Sequence, residues 1–203
     1  AAHVPWHAPR SFYEALNTLA FIRTVCGALE GVGYNSFGRP DVDLYPFYTR
    51  DVAEGRLTPE EAYDLIRAFL LTWDYHYDHD MKMVGYADHE LENTYTLGGC
   101  DAEGNPVWNE LTAMFLKATR EHKIIFPKVK VRFSASSPRE YLDAADEDVI
   151  HGTSSILYQN DDSSIPALLR SGISLKDARD YLITGCWGMM PYGNLMDDHG
   201  NYV

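Results

Sequence analysis

The chain has 203 residues and a mass of 23.0 kDa, which suffices for one large domain or two small ones. Its 17 basic and 30 acidic residues give a net charge of −13, which disfavours binding to nucleic-acid phosphates. No apolar run approaches the roughly 20 residues of a membrane span, and the first ten residues lack the layout of a signal peptide. Three widely spaced cysteines, Cys26, Cys100 and Cys186, form neither a disulfide framework nor a CxxC metal site, so we expect a reducing, cytoplasmic setting.

The first part of the sequence predicts two long helices. Apolar residues recur at helical spacing between residues 10 and 30, so we expect a helix there, with Cys26 on one face as a structural residue. The second helix begins with a capping box from Thr58 to Glu61, has Pro59 in its first position, and carries an apolar stripe that extends to Trp73.

From residue 93 onwards, shorter segments alternate between strand and helix patterns. Strands are predicted at 94–97, 128–133, 154–158 and 182–184, and helices at 107–122, at 139–149 behind a second capping box that starts at Ser137, and at 175–181. This alternation predicts an α/β fold with a parallel sheet or a barrel. Ligands in such folds bind at the carboxyl ends of the strands, which here are residues 98–101, 159–162 and 185–187.

Cys186 is the first candidate for chemistry. It follows an apolar run and is flanked by Gly185 on one side and Trp187-Gly188 on the other. Glycines allow the backbone to turn sharply, so the sulfur could lie at the tip of a loop. Composition equally allows an inert, packed cysteine, and the same two interpretations hold for Cys100, which follows two glycines at a strand end.

Three other groups of polar residues each allow two interpretations. His76, His79 and Asp80 share a helix face and could bind zinc or iron, or they could form a solvated helix end. The run 160–162, Asn-Asp-Asp, could bind substrate or simply turn the chain. Asp197, Asp198 and His199 could act as general acid or base, or lie in an exposed acidic loop. Arg132 alternates with apolar neighbours, and in isolation we expect it to face solvent.

A series of motifs occurs in a fixed order along the chain. They are VPWHAPRSFYEAL at 4–16, SFGRPD at 36–41, LYPFY at 44–48, GRLTPEEA at 55–62, NTYTLGG at 93–99, NELT at 109–112, YQND at 158–161, DARDY at 177–181 and Gly185-Cys186. Together they resemble the glycyl radical enzyme superfamily, the pyruvate formate-lyase-like proteins. The resemblance covers almost the whole chain and identifies residues 1–203 as the central part of that family's barrel domain.

The resemblance implies a fold and a radical mechanism. The fold is a ten-stranded α/β barrel of two half-barrels wrapped by helices, incomplete in this chain. Cys186 would form a thiyl radical that takes hydrogen from a small organic substrate. We expect no cofactor bound in this chain and a glycyl radical elsewhere. The remaining barrel and the glycyl radical segment would belong to the same or a second chain. An S-adenosylmethionine and iron–sulfur activating enzyme would install the radical, and we expect a homodimer.

The resemblance also suggests a pocket and leaves the bond that is cleaved open. The candidate substrate-binding residues are Asn35, Ser36, Asp101, Asn160, Trp187, Asp198 and His199. Gly188 stands where the family's dehydratases carry a glutamate, and Gly185 excludes the paired cysteines of pyruvate formate-lyase. We therefore expect a lyase that cleaves a C–C or C–heteroatom bond. The alternatives are an inactive family member or fragment with a structural or binding role, and a metal-dependent hydrolase that uses His76, His79 and Asp80.

Overall fold

The computed structural model describes residues 3–30, 36–83 and 93–193, without the side chains of 26–30 and 76–83. The helices in these ranges are α1 (Phe12–Glu30), α2 (Pro40–Asp43), α3 (Tyr45–Ala53), α4 (Pro59–Met83), α5 (Glu110–His122), α6 (Arg139–Ile150), α7 (Asp161–Arg170) and α8 (Leu175–Arg179). The strands are β1 (Thr94–Gly98), β2 (Lys128–Phe133), β3 (Ile156–Asn160), β4 (Tyr181–Thr184) and β5 (Gly188–Pro191). Within the described ranges, no helix has the length and apolar character needed to cross a bilayer.

Side-chain caps set the starts of α4 and α5. At α4 the predicted capping box is confirmed, since Glu61 accepts a hydrogen bond from the Thr58 amide at 2.8 Å and donates its own amide to the Thr58 hydroxyl at 3.1 Å. Helix α5 begins at Glu110 and not at 107, because the Asn109 side chain accepts from the amides of Leu111 and Thr112.

One predicted cap and two other predicted boundaries were wrong. The second capping box does not form: Pro138 occupies the N-cap of α6, and the Ser137 hydroxyl accepts from the Ser134 amide instead. The strand predicted at 154–158 runs from Ile156 to Asn160. Helix α8 ends at Arg179 because Tyr181 already begins β4. Sequence patterns define the ends of helices and strands less sharply than their presence.

The main sheet is parallel, with the strand order β1-β2-β3, which confirms the predicted α/β class. One face of the sheet is apolar and belongs to the hydrophobic core. The buried residues on this face are Tyr95, Leu97, Val129 and Val131. Helix α5 contributes Phe115 and Leu116 to the same core, and helix α6 contributes Tyr141 and Ala145. Alternating residues of a strand point to opposite faces, so the other face, here named the inner face, is lined by the residues between them.

The inner face is polar yet covered. The polar side chains on it are those of Thr94, Thr96, Lys128, Lys130, Arg132 and Gln159. Thr94, Thr96, Lys130 and Arg132 are fully buried. The expectation that Arg132 faces solvent is therefore wrong. The β4–β5 hairpin lies on this face and covers it, which explains why a charged strand is buried on both sides.

Candidate active site

Cys186 lies at the tip of the β4–β5 hairpin. The two strands pair antiparallel up to Thr184 and Gly188, so that the loop consists of Gly185, Cys186 and Trp187. Gly185 has a φ of +52°, which glycine adopts without strain. Cys186 is exposed, and Trp187 is 61% exposed. The structure therefore places the cysteine at a loop tip, as its flanking glycines predict.

Threonine side chains hold the hairpin against the main sheet. The Thr94 hydroxyl donates to the carbonyl of Ile183 at 3.0 Å, and the Ile183 amide donates to the Thr96 hydroxyl at 3.0 Å. Both threonines and Ile183 are buried. The backbone of β4 is thus satisfied at this point by side chains of β1, so the hairpin sits on the inner face without joining the sheet.

A buried ion pair anchors the base of the hairpin. Arg132 binds both carboxylate oxygens of Asp161, at 3.0 and 2.9 Å, and donates to the carbonyls of Tyr181 and Arg179 at 2.8 Å each. The Tyr181 ring lies 3.9 Å from the guanidinium carbon, and its hydroxyl donates to Asp161 at 2.7 Å. Both buried charges are thus paired and hydrogen-bonded. Since Arg132 belongs to β2, Asp161 to α7 and Tyr181 to β4, the network joins these three elements.

Lys130 reaches the loop itself. Its ammonium donates to the carbonyl of Cys186 at 3.1 Å, and the side chain is fully buried in the middle of the inner face. Gln159 lies one strand further along this face, and its amide nitrogen is 2.6 Å from the Ser164 hydroxyl and 3.5 Å from the Met189 sulfur. Sequence reasoning missed both residues, although the alternation in 128–133 carried a signal for the lysine.

Gly188, two residues after the cysteine, stands in a confined position. A Cβ atom added there would lie 3.0 Å from the Thr184 hydroxyl and 3.3 Å from the Thr184 carbonyl. Either neighbour would have to shift to admit a side chain. The loop 185–188 carries no carboxylate.

The structure does not bring Asp101 and Asn160 to the hairpin tip. Asn160 is exposed, and its side chain caps α7 by accepting from the Asp162 amide at 2.9 Å. Asp101 accepts from the amide and side chain of Asn105, which closes a turn beyond β1. Asp101 and Asn160 lie at the carboxyl-terminal edge of the main sheet. The hairpin begins near Arg132 at this edge and runs across the inner face towards Thr94 at the amino-terminal edge.

Ser36 lies at the edge of the sheet towards which the hairpin runs. It pairs with Thr94, the first residue of β1, and its hydroxyl donates to the Thr94 carbonyl at 3.3 Å. Thr94 in turn holds Ile183, so Ser36 and the hairpin share a neighbour. Asn35, Asp198 and His199, also predicted for the pocket, lie outside the described residues.

The proposed metal ligands His76, His79 and Asp80 belong to α4, but their side chains lie outside the described part of the structure. Among the side chains that are described, no group of three or more His, Cys, Asp or Glu residues could hold a metal ion. Asp74, just before these residues, accepts from the amides of Ile125 and Phe126 at 2.9 Å each. It thereby orders the chain that leads into β2.

Cys100 has a different environment from Cys186. It is half-buried, its sulfur lies 3.9 Å from an Arg132 nitrogen, and its carbonyl accepts from Arg39 at 2.9 Å. Burial raises the pKa of the Cys100 thiol, although Arg132 opposes this effect. The two cysteines are therefore distinguishable by exposure, and Cys100 offers a natural control for Cys186.

The geometry can be set beside known proteins. The family model for "Pyruvate formate lyase-like" proteins matches residues 1–203. An isethionate sulfite-lyase from Oleidesulfovibrio alaskensis is 30% identical over 207 residues, which cover all of this chain and 25% of that protein. A (2S)-3-sulfopropanediol dehydratase from Klebsiella oxytoca is also 30% identical, over 88% of this chain and 22% of that protein. The chain thus spans about a quarter of the length of these relatives.

Solved structures show the same fold. A glycyl radical enzyme from Archaeoglobus fulgidus superimposes with a TM-score of 0.82 at 29% identity, over 95% of this chain and 25% of that one. The glycerol dehydratase of Clostridium butyricum, solved with glycerol bound, gives a TM-score of 0.81 at 29% identity, over 92% of this chain and 24% of that one. The described sheet and helices are therefore part of a larger barrel fold.

Proposed function

Because the chain belongs to the pyruvate formate lyase-like family, we propose that its complete protein is a glycyl radical lyase in which Cys186 relays hydrogen atoms. The observation that carries the proposal is the exposed cysteine at the tip of a hairpin whose backbone is anchored to the inner face of the sheet. A relay needs a sulfur atom that is accessible yet fixed in position. The hairpin supplies both properties.

The proposed relay balances as follows. Cys186 gives the hydrogen atom of its thiol to a glycyl radical outside the described residues and becomes a thiyl radical. The thiyl sulfur then takes a hydrogen atom from a substrate C–H group, which restores the thiol and leaves a substrate radical. One bond in that radical breaks, and the product radical takes the hydrogen atom back from Cys186. An S-adenosylmethionine-dependent activating enzyme is the proposed source of the first radical.

The confined position of Gly188 bears on which bond is cleaved. A departing hydroxyl group needs an acid, and the loop 185–188 offers no carboxylate to supply the proton. We therefore propose cleavage of a C–C bond, or of a C–heteroatom bond whose leaving group needs no acid from this loop. The sulfite-lyase among the relatives is named for the release of sulfite, a candidate leaving group of the second kind.

The test uses the complete polypeptide, activated without oxygen and assayed with isethionate, (2S)-3-sulfopropanediol and glycerol as probes. We expect a glycyl radical signal, no dehydration of (2S)-3-sulfopropanediol or glycerol, and turnover of isethionate in the wild type and in Cys100→Ser but not in Cys186→Ser. The serine O–H bond is too strong to pass hydrogen, although the side chain is nearly the same size. Turnover in Cys186→Ser near the wild-type rate would refute the relay. A complete polypeptide that forms no radical would favour the inactive-member alternative.

A further inference from the structure

We propose that Lys130 is a positioning residue for the hydrogen relay, acting through the carbonyl group of Cys186. Its ammonium lies 3.1 Å from that oxygen, and it reaches the loop tip from the middle of β2. The inference rests on the proposed function, since it gives Lys130 the role of holding the Cys186 sulfur in position for the proposed hydrogen transfer.

Burial alone does not account for a lysine at this position. Lys130 is fully buried, as are Val129 and Val131 beside it, and a buried ammonium is costly unless it is hydrogen-bonded. Hydrogen bonds from a charged donor are roughly twice as strong as neutral ones. The contact with the Cys186 carbonyl offsets part of the cost of burying the charge, which ties the lysine to the loop.

The rest of the hairpin is anchored elsewhere. Arg132 holds the base through the carbonyls of Tyr181 and Arg179, and Thr94 and Thr96 hold Ile183 in the middle of β4. Residues 186–188 beyond these contacts are exposed, so little packing restrains the tip. The Lys130 contact therefore acts at the exposed tip, beyond the contacts that Arg132, Thr94 and Thr96 make with β4.

The carbonyl and the sulfur belong to the same residue. A fixed carbonyl limits rotation of the Cys186 backbone and with it the direction of the Cα–Cβ bond that carries the sulfur. Hydrogen transfer depends steeply on distance, and a misplacement of about 1 Å can cost on the order of a hundredfold in rate. Loss of the lysine contact should thus slow the relay without removing the reacting group.

Lys130→Met in the complete, activated polypeptide tests the proposal, with Lys130→Arg as the conservative variant. Lys128→Met is the matched control, because Lys128 lies two residues earlier on the same face, and its ammonium lies 5.3 Å from the centroid of the Phe126 ring. The readouts are glycyl radical content, the unfolding temperature, kcat and KM for a probe that is turned over, and exchange of the glycyl hydrogen in D2O, which needs no substrate.

We expect Lys130→Met to lower kcat and the exchange rate by about tenfold to a hundredfold, with KM and radical content close to wild type. Lys130→Arg should restore most of the rate, and Lys128→Met should match the wild type. Equal rates in Lys130→Met and Lys128→Met would overturn the proposal. The proposal would also be overturned if Lys130→Met and Lys130→Arg lost the same fraction of the rate and both unfolded at a lower temperature, since this result would show a structural role alone.

Cys186→Ser separates this proposal from the proposed function. If Cys186→Ser still exchanges hydrogen, the relay itself is wrong and the positioning role falls with it. If Cys186→Ser is inactive while Lys130→Met exchanges at the wild-type rate, the relay stands and only the positioning role is refuted.

Discussion

Asp41 is the most deeply buried carboxyl group near the carboxyl end of β1. Its Oδ2 atom accepts from the Gly98 amide at 2.8 Å and from the Thr112 hydroxyl at 3.0 Å, while Oδ1 has no hydrogen-bond partner among the described residues. Burial raises the pKa of Asp41 to about 6, against the opposing attraction of Arg39. The folded state therefore favours the protonated acid more than the unfolded state does.

This shift predicts a dependence of stability on pH. The pKa rises from 3.8 in the unfolded chain to about 6, so the folded state binds the proton more tightly. The associated stability is present below about pH 4 and is lost as the pH rises to about 6, by on the order of 3 kcal/mol for a shift of about two units. Asp41→Asn should lack this loss, so relative to wild type it should gain stability between pH 4 and 7.

Chemical unfolding of both proteins at pH 4 and at pH 7 measures the effect. Comparing the variant with wild type at each pH removes the contribution of Asp148, whose pKa burial also raises to about 6. If the free energies of unfolding of the variant and the wild type differ by the same amount at pH 4 and at pH 7, the assignment of this titration to Asp41 is contradicted.

At the residue scale, the sequence predicted the loop position of Cys186 and missed the burial of Arg132. Glycine beside a cysteine is a local signal, and the turn it predicts forms with Gly185 at positive φ. Arg132 alternates with Val131 and Phe133, so the pattern indicates a strand with one charged and one apolar face. It does not indicate whether another element packs on the charged face. The cover is the hairpin that starts at Tyr181, far along the chain.

The β4–β5 hairpin is an element that rests on side chains of another strand. Thr94 and Thr96 satisfy the carbonyl and amide of Ile183, at 3.0 Å each, in a buried environment. Valine has nearly the shape of threonine but neither donates nor accepts. In Thr94→Val/Thr96→Val, the Ile183 groups would be left buried without these partners.

We expect the double valine variant to weaken docking of the hairpin by about 1–3 kcal/mol for each lost partner. Hydrogen exchange at the Ile183 amide should quicken accordingly, as measured by mass spectrometry of the peptide that contains it. Thr72→Val is the control, because Thr72 is exposed on α4 and its hydroxyl donates to the Ala68 carbonyl of the same helix. Unchanged exchange at Ile183 in the double variant would show that the threonines do not hold the hairpin.

At the element scale, the sequence predicted the long helices and β2 well. The boundaries of β2 at 128–133 match because alternation and flanking turns agree there. Helix α7 was not predicted. Residues 160–162 at its start are equally typical of a turn, and Pro166, which disfavours a helix interior, lies inside it. The second hairpin strand, β5, was also missed, because Gly188 and Pro191 are weak strand formers that only pairing with β4 stabilises.

Across the whole molecule, contacts distant in sequence tie the first part of the chain to the hairpin. Arg39, fully buried, binds Asp180 at 2.6 Å just before β4, and Asp43 accepts from the Tyr192 hydroxyl at 2.8 Å just after β5. Burial raises the pKa of Asp43. These contacts join the segment that begins at Ser36 to both ends of the hairpin that carries Cys186.

At this scale the sequence predicted the fold class and the family, because motifs spread over the chain resemble one family in order. It did not predict how the inner face is covered or which side chains hold the cysteine loop. Those depend on pairings between distant segments, such as Lys130 with Cys186. The chain spans about a quarter of its relatives, so closure of the barrel involves strands beyond those described.

Hydrogen exchange at the glycyl radical tests the central claim most directly, because it needs no knowledge of the substrate. If the proposed relay operates, the Cys186 thiol carries deuterium in D2O and passes it to the glycyl radical when that radical takes an atom from the sulfur. When the thiyl radical then takes back the protium, the glycyl radical retains deuterium, and its hyperfine splitting in the electron paramagnetic resonance spectrum collapses. We predict this collapse in the wild type and in Cys100→Ser, and its absence in Cys186→Ser. An unchanged collapse in Cys186→Ser would contradict the account.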